Sequence, residues 1–238
     1  MRLEESLRRE KEVAGTWPAP VAAPELARLP SARLAAMRSA GEDILECYRV
    51  LRKGGLNVVG EVLRGRRVFR EYDHYPKQDV YDRETHAQYY YHAHRGLPGE
   101  HGHFHTFLRE PAPQGEDSVA HLVAISMDAY GYPIGLFVPN RWVAGDKWYP
   151  AADLAPLLAR FRIDHAWPSW PVNRWITAML VLFAPHIEQL FQVRDETIEA
   201  WREQLPADDP LECRELDILA HMPIAVEDTL GELRRLMQ

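Results

Sequence analysis

The sequence predicts an α+β fold, an antiparallel sheet or partly closed β-barrel flanked by N-terminal and C-terminal helices. Three observations predict it. Residues 25–63 and 150–238 carry apolar residues at helical spacing, whereas residues 66–145 carry short alternating runs broken by Gly and Pro. Between Ala87 and Arg109 stand five of the eleven histidines, each two residues from the next within its group. Side chains two apart in an extended chain point the same way, so each group forms a one-sided row of imidazoles.

In chain order, residues 1–24 read as an arm and residues 25–238 as one α+β domain. Residues 1–15 are a charged helix or a disordered arm, and Trp17 to Pro24 is a stiff proline-rich connector lying against the surface. From Ser31 as N-cap, Leu34, Met37, Ile44, Leu45, Tyr48 and Leu51 form a helical stripe ending at Gly54-Gly55. A short helix follows over residues 57–63. Val68 to Tyr75 reads as the first strand, with a turn at Pro76 and an acidic-aromatic segment through Asp82.

The two histidine groups, His92 and His94, then His101, His103 and His105, flank a Pro-Gly pair suited to a turn, so residues 87–94 and 101–108 read as an antiparallel hairpin. With a wide loop, His94 faces His101 and His92 faces His103; with a tight Leu97 to Glu100 turn, His94 faces His103 and His92 faces His105. Either register puts all five histidines and Tyr90 on one face, and Tyr89, Tyr91, Phe104 and Thr106 on the other. A bulge or one-residue slip would separate the rows. The histidine face is expected to look into a concavity closed by the C-terminal helices.

Opposed residues have Cβ atoms about 4.5–5.5 Å apart, so two histidines from one arm and one or two from the other can meet a single ion. His101, His103 and His105 span roughly 13 Å at the strand rise, too far for all three to bind one metal. The expected cofactor is a divalent transition metal, since imidazole suits Fe, Zn, Cu and Ni alike. Glu100 would serve zinc as a base toward a bound water, and Tyr90 or Tyr91 would stand beside iron. The competing readings are a hydrogen-bonded or solvated histidine-rich sheet face without a metal, and phosphate chemistry.

The phosphate reading comes from a resemblance: His101-Gly102-His103-Phe104-His105-Thr106-Phe107 is similar to the His-x-His-x-His-x-x motif of histidine-triad nucleotide hydrolases and transferases. It implies His103 as nucleophile, although Gly102 replaces an apolar residue of that motif. His92, His94 and Glu100 resemble the first metal motif of the cupin barrels, while the second meets Val138 where a histidine is expected. His101 to Phe107 and Gly135 to Val143 together are similar to a bacterial single-domain family of unknown function over roughly residues 30–235. That resemblance implies one domain and supplies no activity.

After the hairpin, Val119 to Asp128 and Ile134 to Val143 read as a second hairpin, with His121 offering a further imidazole and Arg141 placed at a strand end to bind a substrate carboxylate. Asp73 and His74 could supply a carboxylate or an imidazole to the site, with a surface turn as the competing role for both. Asp153 to Phe161 reads as a helix, Asp164 to Pro171 as an aromatic loop, and residues 173–205 as one helix interrupted near Pro185. Short helices over residues 211–220 and 224–237 close the chain.

The net charge of −7 argues against nucleic acid or an anionic membrane as partner. The two cysteines form no disulfide or zinc spacing, the N-terminus is charged, and the longest apolar run is seven residues, so the expected location is the cytoplasm. No phosphate loop, Gly-x-Gly-x-x-Gly, Gly-x-Ser-x-Gly or His-Glu-x-x-His is present. The expectation is a metal-dependent enzyme acting on a small molecule, non-haem iron oxygenase-like or hydrolytic. A non-catalytic metal-binding or interaction protein is the alternative.

Overall fold

The computed structural model describes residues 17–94, 99–112, 114–145, 147–204 and 206–238. The charged arm before Trp17 and the hairpin turn at residues 95–98 lie outside them. A six-stranded antiparallel sheet runs in sequence order, built from β1 (Tyr75–Tyr81), β2 (Ala87–His92), β3 (Gly102–Glu110), β4 (Ser118–Met127), β5 (Pro133–Pro139) and β6 (Ile218–Pro223). It is open. The barrel alternative, and with it the cupin architecture, gives way to a sheet whose first and last strands do not pair.

Helix α1 (Ser31–Lys53) follows the expected stripe, with Pro30 rather than Ser31 in the capping position. Helix α2 (Val58–Val62) is capped by Asn57, whose side chain accepts a 2.7 Å hydrogen bond from the Gly60 amide. The expected strand at Val68 to Tyr75 is irregular and pairing begins only at Tyr75. Tyr72 explains this, because its φ of +65° breaks an extended backbone. Strand β5 stops at Pro139, where Asn140 caps a short helix α3 (Arg141–Ala144), so Arg141 lies on that helix and not on a strand.

Helix α4 (Ala151–Arg160) leads into α5 (Trp170–Leu182) and α6 (Ala184–Gln204), which meet at a 65° bend just before Pro185. None of the described helices is by itself long and apolar enough to cross a membrane. The expected helix at residues 211–220 is instead a 3₁₀ turn, Pro210–Glu212, followed by β6. A short, mostly apolar run such as Ile218 to Met222 cannot distinguish helix from buried strand by its own period, and the free edge of β5 decides it. Helix α7 (Val226–Leu236) ends the chain.

The core lies between one face of the sheet and the helices. Trp175 of α5 packs on Phe104 of β3 at 5.3 Å between ring centres, and the buried Tyr89 hydroxyl donates to Asn173 Oδ1 at 2.5 Å. The connector covers the far edge of the sheet: the Val21 amide donates to the His221 carbonyl at 2.8 Å, and His221 Nε2 meets the Pro18 carbonyl at 2.7 Å. The C-terminal helices thus cover the Tyr89, Tyr91 and Phe104 face, and the expectation that they close over the histidines is corrected.

Candidate metal centre

Strands β2 and β3 pair without a bulge, with Tyr90 opposite His105, Tyr91 opposite Phe104 and His92 opposite His103. This is the wide-loop register. Two parallel rows cross the sheet on the face away from the helices, Tyr90–His105–Ala124–Phe137–His221 and His92–His103–Ser126–Gly135–Pro223. The rings therefore gather where β2 and β3 meet.

His92, His94, His103 and His105 each offer a ring nitrogen within 4.8 Å of the others. Neighbouring rings lie 4.6–5.0 Å apart and nearly perpendicular, an arrangement that turns ring edges toward a common centre. One tetrahedral ion at about 2.0–2.1 Å from each nitrogen would hold the nitrogens about 3.3 Å apart. Ring rotations can make that contraction. His103 and His105 are almost wholly buried, His92 is buried, and His94 is half-buried.

Two of these rings are held from behind. The Glu100 carboxylate meets His103 Nδ1 at 2.9 Å, with both side chains nearly solvent-free, and His121 Nε2 meets His105 Nδ1 at 2.8 Å. The carboxylate holds the His103 proton on Nδ1 and leaves Nε2 for a metal, and His105 presents Nε2 in the same way when its Nδ1 donates to His121. His121 reaches this face through a bulge. Between Thr106 and Phe107 the register shifts so that Phe107 opposes His121, which regular alternation from Ala124 would send to the helices. Thr106 pins the bulge, its hydroxyl donating to the Val123 carbonyl at 2.7 Å.

A second bulge, in β1 between Tyr75 and Val80, delivers Asp79 at φ +49° to His74, whose Nδ1 lies 2.9 Å from Asp79 Oδ1. His74 lies flat on Tyr90, ring centres 3.6 Å apart, and edge-on to His92. Tyr72, largely exposed, stacks on His94 at 5.5 Å. Burial raises the Tyr90 pKa, with the Asp79 charge adding to it, so its hydroxyl stays protonated across the physiological range. Tyr90 is therefore a donor beside the cluster.

His101 leaves the row. It precedes the first paired residue of β3, stacks on Phe69 at 5.0 Å, and takes a 2.7 Å hydrogen bond on Nδ1 from the Tyr91 hydroxyl. Burial lowers the His101 pKa and raises that of Tyr91, so a neutral ring accepts from a protonated phenol. Gly102 makes this possible, because a Cβ there would stand 2.6 Å from the Tyr91 hydroxyl. Five histidines on one face thus become four, and the fifth braces the sheet end. Arg141 lies at the start of α3 rather than at a strand end, away from the cluster, and donates to Glu212 at 2.6 Å and Asp209 at 3.2 Å.

Sequence reasoning named His121 and His74 as further imidazoles, whereas Asp79, Phe137, Ser126 and Trp17 carried no local signal. Phe137 packs against His103 at 5.3 Å, and Trp17 packs against Phe137 and His221. Strand pairing brings Phe137 there, and docking of the connector on β6 brings Trp17.

An open antiparallel sheet covered on one face by helices and bearing four clustered histidines on the other defines an α+β protein with a candidate transition-metal centre. The chain belongs to a family described as a domain of unknown function, DUF6969, whose model matches residues 38–224 and so includes both His101–Phe107 and Gly135–Val143. No curated protein and no solved structure matches it.

Proposed function

We propose that this protein is a metal-dependent enzyme acting on a small molecule, with one transition-metal ion held by His92, His94, His103 and His105. The observation that carries the reading is four imidazole nitrogens within 4.8 Å of one another, three of the rings buried. Their neutral donors suit Fe, Zn, Cu or Ni. Such an ion would supply Lewis-acid polarisation or, for iron or copper, electron transfer. Glu100 and His121 orient two of the ligands, and Tyr90 offers a hydroxyl proton beside them. Iron oxygenase-like chemistry would use Tyr90 as a hydrogen-bond donor. Hydrolytic chemistry would draw on Glu100, which must then divide its two oxygens between His103 and substrate. The acidic balance and two free cysteines support a cytoplasmic setting with no nucleic-acid or membrane partner.

Four imidazoles also suffice to close a tetrahedral shell, which favours a non-catalytic metal-binding protein as the second reading. Metal analysis and X-ray absorption on untagged protein separate them. The enzyme reading expects about one equivalent of metal and an exchangeable light ligand that azide replaces. A shell of four imidazoles that azide leaves unchanged supports the binding protein, and less than about a tenth of an equivalent, with no loss in His92→Ala, removes both. The histidine-triad reading has less support, since among the described residues His103 is wholly buried, packed by the other histidines and Phe137 with Nδ1 on Glu100. Loss of nucleoside phosphoramidate turnover in His103→Ala but not with chelator would revive it.

A further inference from the structure

The row that begins with His92 and His103 continues through Ser126, Gly135 and Pro223, and its far half is small where the parallel row carries Phe137 and His221. A groove of about 200 Å³ occupies the difference. Ser126, Gly135 and Pro223 lie under it, and Trp17, His221 and Glu100 border it. At roughly 20 Å³ per non-hydrogen atom it holds about ten atoms, fewer than the roughly 300–1,000 Å³ sites of drug-sized ligands take.

Gly135 is the informative residue. Its φ is not in the left-handed region, and a Cβ built on it would meet nothing nearer than Met222 O at 3.5 Å and Ser126 Cβ at 3.9 Å, both ordinary contacts. Neither backbone conformation nor packing requires glycine there, and glycine weakens a strand. What its missing side chain provides is the open floor. Glu100 joins that space to the histidines, because the residue that borders the groove turns its nearly buried carboxylate to His103 Nδ1.

We propose that this groove is the substrate site of the metal centre and takes an uncharged, mostly apolar molecule of about ten non-hydrogen atoms, with a flat part against Trp17. The lining excludes other classes. Glu100, the one carboxylate among the described lining residues, is already engaged by His103, and no lysine or arginine lines the groove, so an anion finds no fixed counter-charge there. The surface is otherwise chiefly Trp17, Ile134 and Pro223, since the buried Leu136 and Met222 turn their side chains to the helices and reach the groove through backbone. The inference rests on the metal reading for its chemistry but not for its binding.

Benzyl alcohol and benzoate, alike in size and ring but differing in charge, are the probes. Ligand-observed NMR on the full-length protein, with and without cobalt(II), is expected to show saturable benzyl alcohol binding at least tenfold tighter than benzoate. Gly135→Val should weaken it at least tenfold while cobalt uptake and thermal stability hold or rise, and Ser126→Val provides a second filling of the same floor. In cobalt-loaded wild type, benzyl alcohol should shift the visible spectrum through Glu100 and His103. Equal binding by wild type and both filled variants, equal binding of benzoate, or no binding at 10 mM overturns the proposal. Binding that is lost in the filled variants of a protein that takes up no cobalt leaves the groove standing and removes the metal reading instead.

Discussion

The two faces of the sheet differ in what they ask of their residues. In β2, Tyr89 and Tyr91 face the helices while Tyr90 and His92 face away; in β3, Phe104 and Leu108 face the helices while His103 and His105 face away. The helical face buries apolar area with isolated, satisfied polar groups, as where Tyr89 donates to Asn173. The histidine face buries imidazoles that gain little from leaving water unless each nitrogen finds a partner. The apolar core belongs to the first face and the candidate metal ligands to the second, although the two are separated by one residue along each strand. The comparison teaches that a ligand set can be embedded in a rigid sheet without taking residues from the core.

The largest expected effect tests the core side. Phe104→Ala removes a fully buried ring between Tyr89, Tyr91 and Trp175, and should cost about 3–5 kcal/mol in urea unfolding. Metal bound per folded molecule should stay the same; parallel loss would show that the faces are not separable. His92→Ala is the converse. Structural zinc sites are worth about 10–16 kcal/mol, so one ligand in four should account for about 2.5–4 kcal/mol of metal affinity by competition titration. Metal-free stability should change by less than about 1.5 kcal/mol, and a larger change would make the histidine face structural.

A histidine in the helical layer sharpens the contrast through pH. His186, buried in the first turn of α6, has no hydrogen-bond partner on Nδ1, and burial depresses its pKa to about 4. The folded state keeps this ring neutral while the unfolded chain protonates it near 6.5, so its stabilisation is complete above about pH 6.5 and is lost as pH falls toward 4. The full loss is up to about 3 kcal/mol, at about 1.4 kcal/mol per unit. Chelator-treated His186→Leu should therefore show a flatter fall in urea midpoint between pH 7 and pH 4.5 than wild type. Identical curves would place the acid sensitivity elsewhere.

Two smaller effects concern the support of the histidines. Glu100→Gln keeps an acceptor for His103 but not the charge, and should weaken metal binding about tenfold without unfolding the chain. Unchanged affinity would remove Glu100 from the site. Tyr72 holds a left-handed φ of +65° while largely exposed, a cost that glycine relieves in part. Tyr72→Gly should raise metal-free stability by about 0.5–1 kcal/mol in thermal melts, and a fall would mean that its stack on His94 outweighs the strain.

The sequence by itself determined what depends on local periodicity. Ser31 to Lys53 repeats its apolar residues every three or four positions and is a helix wherever it docks, and the two-residue period of Ala87 to His92 puts Tyr90 with His92 whatever the partner strand. Given an unbulged hairpin, the same alternation places His103 and His105 with them. Tertiary structure decided everything that required a distant partner. The β3–β4 bulge aims His121 at His105, the β1 bulge brings Asp79 to His74, and Gly102 lets Tyr91 take His101 out of the row. Asp209 and Glu212 claim Arg141, and the free edge of β5 makes a strand of Ile218 to Pro223. A strand has two equivalent faces until something packs on one of them. Which face the helices cover, and hence whether the histidines lie in the core or outside it, is set by long-range docking of Trp175 and Asn173 against Phe104 and Tyr89, a pairing that no local period encodes.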